Sequence, residues 1–173
     1  MPRIPKPAPD EHLSYYGKYI ALVGDDALVA LREQAPRTVA LFAGLDEGRA
    51  LHRYGPGKWS VKEVLGHVID GERVFGHRAL RFARRDRTPL PGFDENLWVP
   101  AAAFNRRPLT ELVSDFRAVR ASTLALFGSF DDEVLVQRGL ANGAEVSVRA
   151  LAHIIAGHEL HHGEILRERY GLA

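Results

Sequence analysis

The chain has 173 residues, which suits one domain with a sizeable core. A composition 46% hydrophobic and 26% charged is that of an ordinary globular domain, and a formal net charge of +1 gives no general pull toward nucleic acid or an acidic membrane surface. The absence of cysteine excludes disulfides, thiolate metal ligands and a side-chain thiol nucleophile.

Residues 1–11 are rich in proline and read as an irregular arm ahead of a single domain over 12–173. The arm lacks the apolar core of a signal peptide, and no stretch is long and apolar enough to span a bilayer, so a cytoplasmic location is the default expectation. Tyr15, Tyr16, Tyr19, Ile20 and Val23 predict one short helix, broken by Gly24-Asp25-Asp26, where Asp25 or Asp26 can cap the next. That next segment carries Leu28, Leu31, Val39, Phe42 and Leu45 at helical spacing, with Pro36 expected to kink or split it.

The strongest start signal is Trp59-Ser60-Val61-Lys62-Glu63-Val64. Ser60 and Glu63 form a capping box, and Trp59 and Val64 a hydrophobic staple, predicting a long helix to about Arg85. Residues 86–108 hold four prolines and read as a long loop connection. Leu109, Leu112, Val113, Phe116, Val119, Leu124 and Phe127 predict a third long helix. Asn142-Gly143 signals the turn of a small hairpin. Ser147 then caps a last helix, with Val146 and Leu151 as its staple. Four long amphipathic segments and little strand signal predict an all-α four-helix bundle, with one long crossover connection after the second segment.

The last helix contains His158-Glu159-Leu160-His161-His162, which matches the zinc-protease pattern H-E-x-x-H. His158 and His162 share a helix face and can share one metal ion. A catalytic zinc wants a third protein ligand. The extended protease motif would need glycine and histidine where Ile165 and Glu168 stand, and the residues after His162 are too few for the form with a distant downstream glutamate. The protease reading therefore fails for want of a ligand. His161 points about 100° away around the helix. Upstream, His67 lies mid-helix among Leu65, Val68 and Ile69, where an imidazole is costly without a partner. Either a hydrogen-bonding neighbour or a metal on a facing helix would serve.

Trp59-Ser60-Val61-Lys62-Glu63-Val64-Leu65-Gly66-His67 and the later Ser147–Leu166 segment with its H-x-x-x-H resemble the DinB-like superfamily of metal-binding four-helix bundles, over about residues 12–170. The resemblance implies a three-histidine site of His67, His158 and His162, a divalent transition metal (nickel or zinc) and a homodimer. It also implies a small-molecule substrate. In such proteins a low-molecular-weight thiol (bacillithiol, mycothiol or glutathione) is transferred, and others are described as metal-dependent hydrolases. The glutamate inside H-E-x-x-H is then incidental to metal binding.

A metal held by neutral imidazoles keeps its charge and lowers the pKa of bound water or thiol. Without cysteine, a transferred thiol must be a cosubstrate. Asp70, three residues after His67, is a candidate to orient its ring, with a surface ion pair as the alternative. Glu159 is a candidate general base if it turns inward. Arg78, Arg81, Arg84, Arg85 and Arg87 crowd the end of the second long helix, where a solvated helix end is the usual meaning; a carboxylate-rich thiol cofactor docking on the cluster is the alternative, with no single arginine marked out. The leading expectation is a thiol S-transferase. The alternatives are a metal-dependent hydrolase, or a non-catalytic bundle of a stress response whose metal clamps the second and fourth long helices.

Overall fold

The computed structural model describes residues 3–172, so Met1 and Pro2 of the expected arm lie outside the described residues. In chain order, α1 is Gly17–Ala21, α2 Ala27–Phe42, α3 Glu47–Ala50, α4 Val61–Ala83, α5 Glu95–Ala102, α6 Leu109–Gly128 and α7 Asp132–Leu135. The hairpin strands β1 (Arg138–Ala141) and β2 (Ala144–Ser147) follow, and α8 (Val148–Tyr170) closes the fold.

The four long helices α2, α4, α6 and α8 make the bundle. α4 packs on α8 and α6, and α2 packs on the same two from the opposite corner. Tyr170 at the end of α8 donates to the Trp59 carbonyl just before α4, so these two run antiparallel. α4 and α6 run parallel. Lys62 near the start of α4 donates to the Arg107 carbonyl just before α6, and farther along both helices Glu72 meets Arg120. Parallel neighbours cannot be joined by a tight turn, so the chain returns along the bundle before α6. That return is the long crossover the sequence predicts.

Local chemistry sets the helix starts. Asp26 accepts from the Leu28 and Val29 amides and caps α2. Ser60 and Glu63 close the expected capping box on α4, and Ser147 accepts from Ala150 to cap α8. Asn142 and Gly143 both adopt positive φ, 52° and 78°, which is what a two-residue hairpin turn requires.

Two expectations are corrected. α2 is not split at Pro36, because its capped start and buried Leu28, Leu31, Leu41 and Phe42 hold one helix against the bundle. The connection over 86–108 is not all loop: Asp94 caps α5 inside it. The N-terminal arm, irregular up to a 3-10 turn at Pro9–Glu11, is docked on the bundle. Ile4 is fully buried, its carbonyl receives the Ala27 amide, and His153 on α8 contacts the same carbonyl.

Two apolar cores divide the bundle. One gathers Leu28, Leu31, Phe75, Phe82, Leu151 and Ile155; the other gathers Leu65, Ile69, Phe104, Leu112, Phe116 and Leu166. Between them lies a layer of buried polar side chains: Gln34, His67, Glu72, Arg120, His158 and Glu159. No helix among the described residues is long and apolar enough to cross a membrane.

Candidate metal centre

His67 on α4 and His158 and His162 on α8 converge, with a ring nitrogen from each within 4.8 Å of the others. His67 Nε2 and His158 Nε2 are 2.9 Å apart. The ring centroids are 4.6–4.8 Å from one another, each pair near edge-to-face. Two close approaches place the rings. Gly71, one turn after His67, leaves room for His158: a Cβ there would meet His158 Cε1 at 3.1 Å. Gly157 lets α1 come onto α8, since a Cβ there would lie 2.0 Å from the Tyr19 carbonyl oxygen. Tyr19 is thereby set edge-on to His158, with ring centroids 5.6 Å apart. Trp59 covers His67 at 4.8 Å.

Burial lowers the pKa of all three histidines: His67 to about 4, His162 to about 3, and His158 well below its ordinary value. For His158 and His162 the neighbouring imidazoles add to the effect. The rings are therefore neutral at pH 7, which is the protonation state of a metal ligand. Three neutral nitrogen donors with no carboxylate among them suit zinc or nickel rather than magnesium or calcium. The residues present fit a divalent transition metal.

The centre opens onto a cavity of about 330 Å³. His67 and His158 form one part of its wall, and Tyr16, Tyr19, Arg78 and Glu95 contribute polar groups to the rest. Burial raises the pKa of the Tyr16 and Tyr19 hydroxyls, which keeps them protonated donors at neutral pH. A second cavity, about 170 Å³, touches His162 from the α2 side.

Asp70 is not brought to His67. It pairs with Arg73 at 3.4 Å, and Arg73 also approaches Asp115 on α6. Glu159 does turn inward, but away from the three rings. It accepts from Thr38 on α2 and from Arg120 on α6. Arg120 also forks onto Glu72 of α4 at 2.8 and 2.9 Å and donates to the Leu31 carbonyl at 3.0 Å. Burial opposes the Arg120 charge, yet the two carboxylates outweigh it and hold the guanidinium pKa above its ordinary value. The glutamate inside H-E-x-x-H thus has a structural partner on another helix.

Of the arginine cluster, Arg84, Arg85 and Arg87 are exposed, Arg81 pairs with Asp86, and Arg78 alone is buried. Sequence reasoning marked the arginine cluster without singling out Arg78, and missed Tyr16 and Tyr19 at the cavity, Glu95 on α5 and the Glu72–Arg120 pair. A signal existed for the pair. Glu72 follows Val68 by four residues and Arg120 follows Phe116 by four, which puts both charges on apolar faces.

No curated protein matches the chain. Among solved structures it is similar to YfiT from Bacillus subtilis, described as a probable metal-dependent hydrolase with an unusual four-helix bundle topology. The likeness covers 97% of this chain and 94% of that chain, with a TM-score of 0.68 and 16% identity, and at that identity it is one of fold. Residues 30–166 match the model of the DinB superfamily. That match spans most of the chain and includes His67, His158 and His162, so the protein belongs to the DinB superfamily.

Proposed function

We propose that this protein is a metal-dependent enzyme that activates a small thiol for transfer to an electrophile. The observation that carries the reading is the convergence of three neutral imidazoles beside a cavity of about 330 Å³, within the size range of small-molecule sites. His67, His158 and His162 would hold the ion. When bound, a divalent ion supplies positive charge that lowers the pKa of a thiol or water ligand toward neutrality. Trp59, Tyr19 and Phe75 pack against the rings, and the Tyr16 and Tyr19 hydroxyls can donate to charge developing in the cavity. The chain offers no thiol of its own, so the sulfur nucleophile is a cosubstrate.

Hydrolysis is the second reading, favoured by the fold shared with a protein described as a probable metal-dependent hydrolase. The two differ in the nucleophile and share the metal. Metal analysis of untagged protein beside His67→Ala comes first: about one equivalent of nickel or zinc per chain is expected, and the substitution should abolish it. Wild-type protein that takes up neither metal on reconstitution overturns the reading. Screening thiols and activated esters on loaded protein then separates transfer from hydrolysis. A homodimer and a cytoplasmic location complete the proposal; light scattering tests the first.

A further inference from the structure

Arg78 and Arg120 are both buried guanidiniums, exposed by 4% and 1%, yet their surroundings differ. Arg120 is saturated by two carboxylates and a carbonyl. Among the described residues, Arg78 has no carboxylate within ion-pair distance. It donates to the Pro91 carbonyl at 2.8 Å, lies over the rings of Phe75 and Phe93 at 5.6 and 5.9 Å, and lines the same cavity as Tyr16. A guanidinium carries five N–H donors, and a charge taken from water without a counter-charge is costly. This one lines the cavity that holds His67 and His158.

We propose that Arg78 is a carboxylate-binding residue, and that the cavity takes small molecules bearing a carboxylate at the end remote from the metal centre. The spacing supports an elongated ligand. Arg78 follows His67 by three turns of α4, roughly 16 Å along the axis, and Phe75 stands between them, next to the His158 ring on one side and the guanidinium on the other. The planar fork of arginine matches the two oxygens of a carboxylate. Glu95 is the acidic side chain lining the same cavity, and its charge is felt at His67, Tyr16 and Tyr19. That negative charge disfavours a phosphate dianion facing a single cation and tolerates a singly charged carboxylate. The site for the anionic end stands apart from the metal-activation reading. Only the placement of the reacting group at the histidines rests on that reading.

Calorimetry on nickel-loaded protein with mercaptohexanoate and mercaptohexanol tests the proposal. The two probes share the thiol and the chain length and differ in the remote end. Wild type should bind the acid about tenfold or more tightly than the alcohol. Arg78→Met should reduce that preference to within about twofold while leaving mercaptohexanol affinity unchanged. If Arg78→Met does not fold, Arg78→Lys, which keeps the charge and loses the fork, should show a preference several-fold smaller than wild type. No preference in wild type, or one that survives in Arg78→Met, overturns the proposal. If neither thiol binds, it is the metal reading that has failed. Hexanoate against hexanol on metal-free protein, followed by ligand-observed NMR, then decides the Arg78 site alone. Hexanoate contact in wild type that is lost in the variant supports it, and no hexanoate contact overturns it. Hexyl phosphate binding more tightly than hexanoate overturns the carboxylate assignment.

Discussion

Arg120 touches α2, α4 and α8 from its place on α6, so one side chain joins all four bundle helices. Its worth lies less in what the pairs add than in what their loss would leave. Arg120→Leu strands Glu72 and Glu159 as buried carboxylates and should cost about 3–5 kcal/mol of stability, read as a lower urea midpoint. Glu159→Gln keeps a hydrogen-bond acceptor and should cost clearly less. The histidines give a second residue-scale expectation. The folded pKa of His67 is about 4 and that of His162 about 3, against 6.5 unperturbed. Between those values the unfolded chain binds protons that the folded chain refuses. Stability of the metal-free protein is therefore fully present above pH 6.5 and falls as the pH drops toward 4. Urea melts at pH 7 and pH 5 check the sign, and His67→Phe should flatten the slope.

At the scale of elements, α1 and α8 meet through Gly157, and that contact sets the Tyr19 ring beside His158. Gly157→Ala cannot be accommodated by a flexible side chain, because the atom in the way is a backbone oxygen. The substitution should push α1 off α8, cost about 1–3 kcal/mol and, on the proposed thiol-activating function, weaken thiol binding as Tyr19 withdraws. Denaturant melts and calorimetry measure the two effects separately. The N-terminal arm behaves as part of the same packing: Ile4 bridges the start of α2 and His153, the latter buried with its Nδ1 without a hydrogen-bond partner among the described residues. Its docking combines the buried Ile4 side chain, hydrogen bonds of the Ile4 backbone to Asp26 and Ala27, and ion pairs of Asp10 with Arg138 and of Glu11 with Arg149.

For the whole molecule, two apolar cores flank the polar layer, which predicts a fold that does not hang on the metal. Chelation of the loaded protein should remove only the linkage stabilisation, about 3–4 kcal/mol at ligand excesses of a hundred- to a thousandfold over Kd, and leave a cooperative melt. A bundle held together by its metal would instead lose its cooperative transition on chelation. Circular dichroism melts with and without chelator distinguish the two.

The sequence by itself determined the bundle, its four long helices and three of their starts, because caps, staples and hydrophobic periodicity act over a few residues of chain. It also marked His158 and His162 as one face and His67 as a polar misfit in an apolar run. The tertiary structure alone decided that these rings meet, since residues 91 positions apart in the chain become neighbours only when α4 and α8 pack antiparallel. It also decided that Glu159 turns to Arg120 and Asp70 to Arg73, that Pro36 is absorbed, and that Arg78 lines the cavity. In each case a side chain chose among partners on other elements, and local chain chemistry carries no record of that choice.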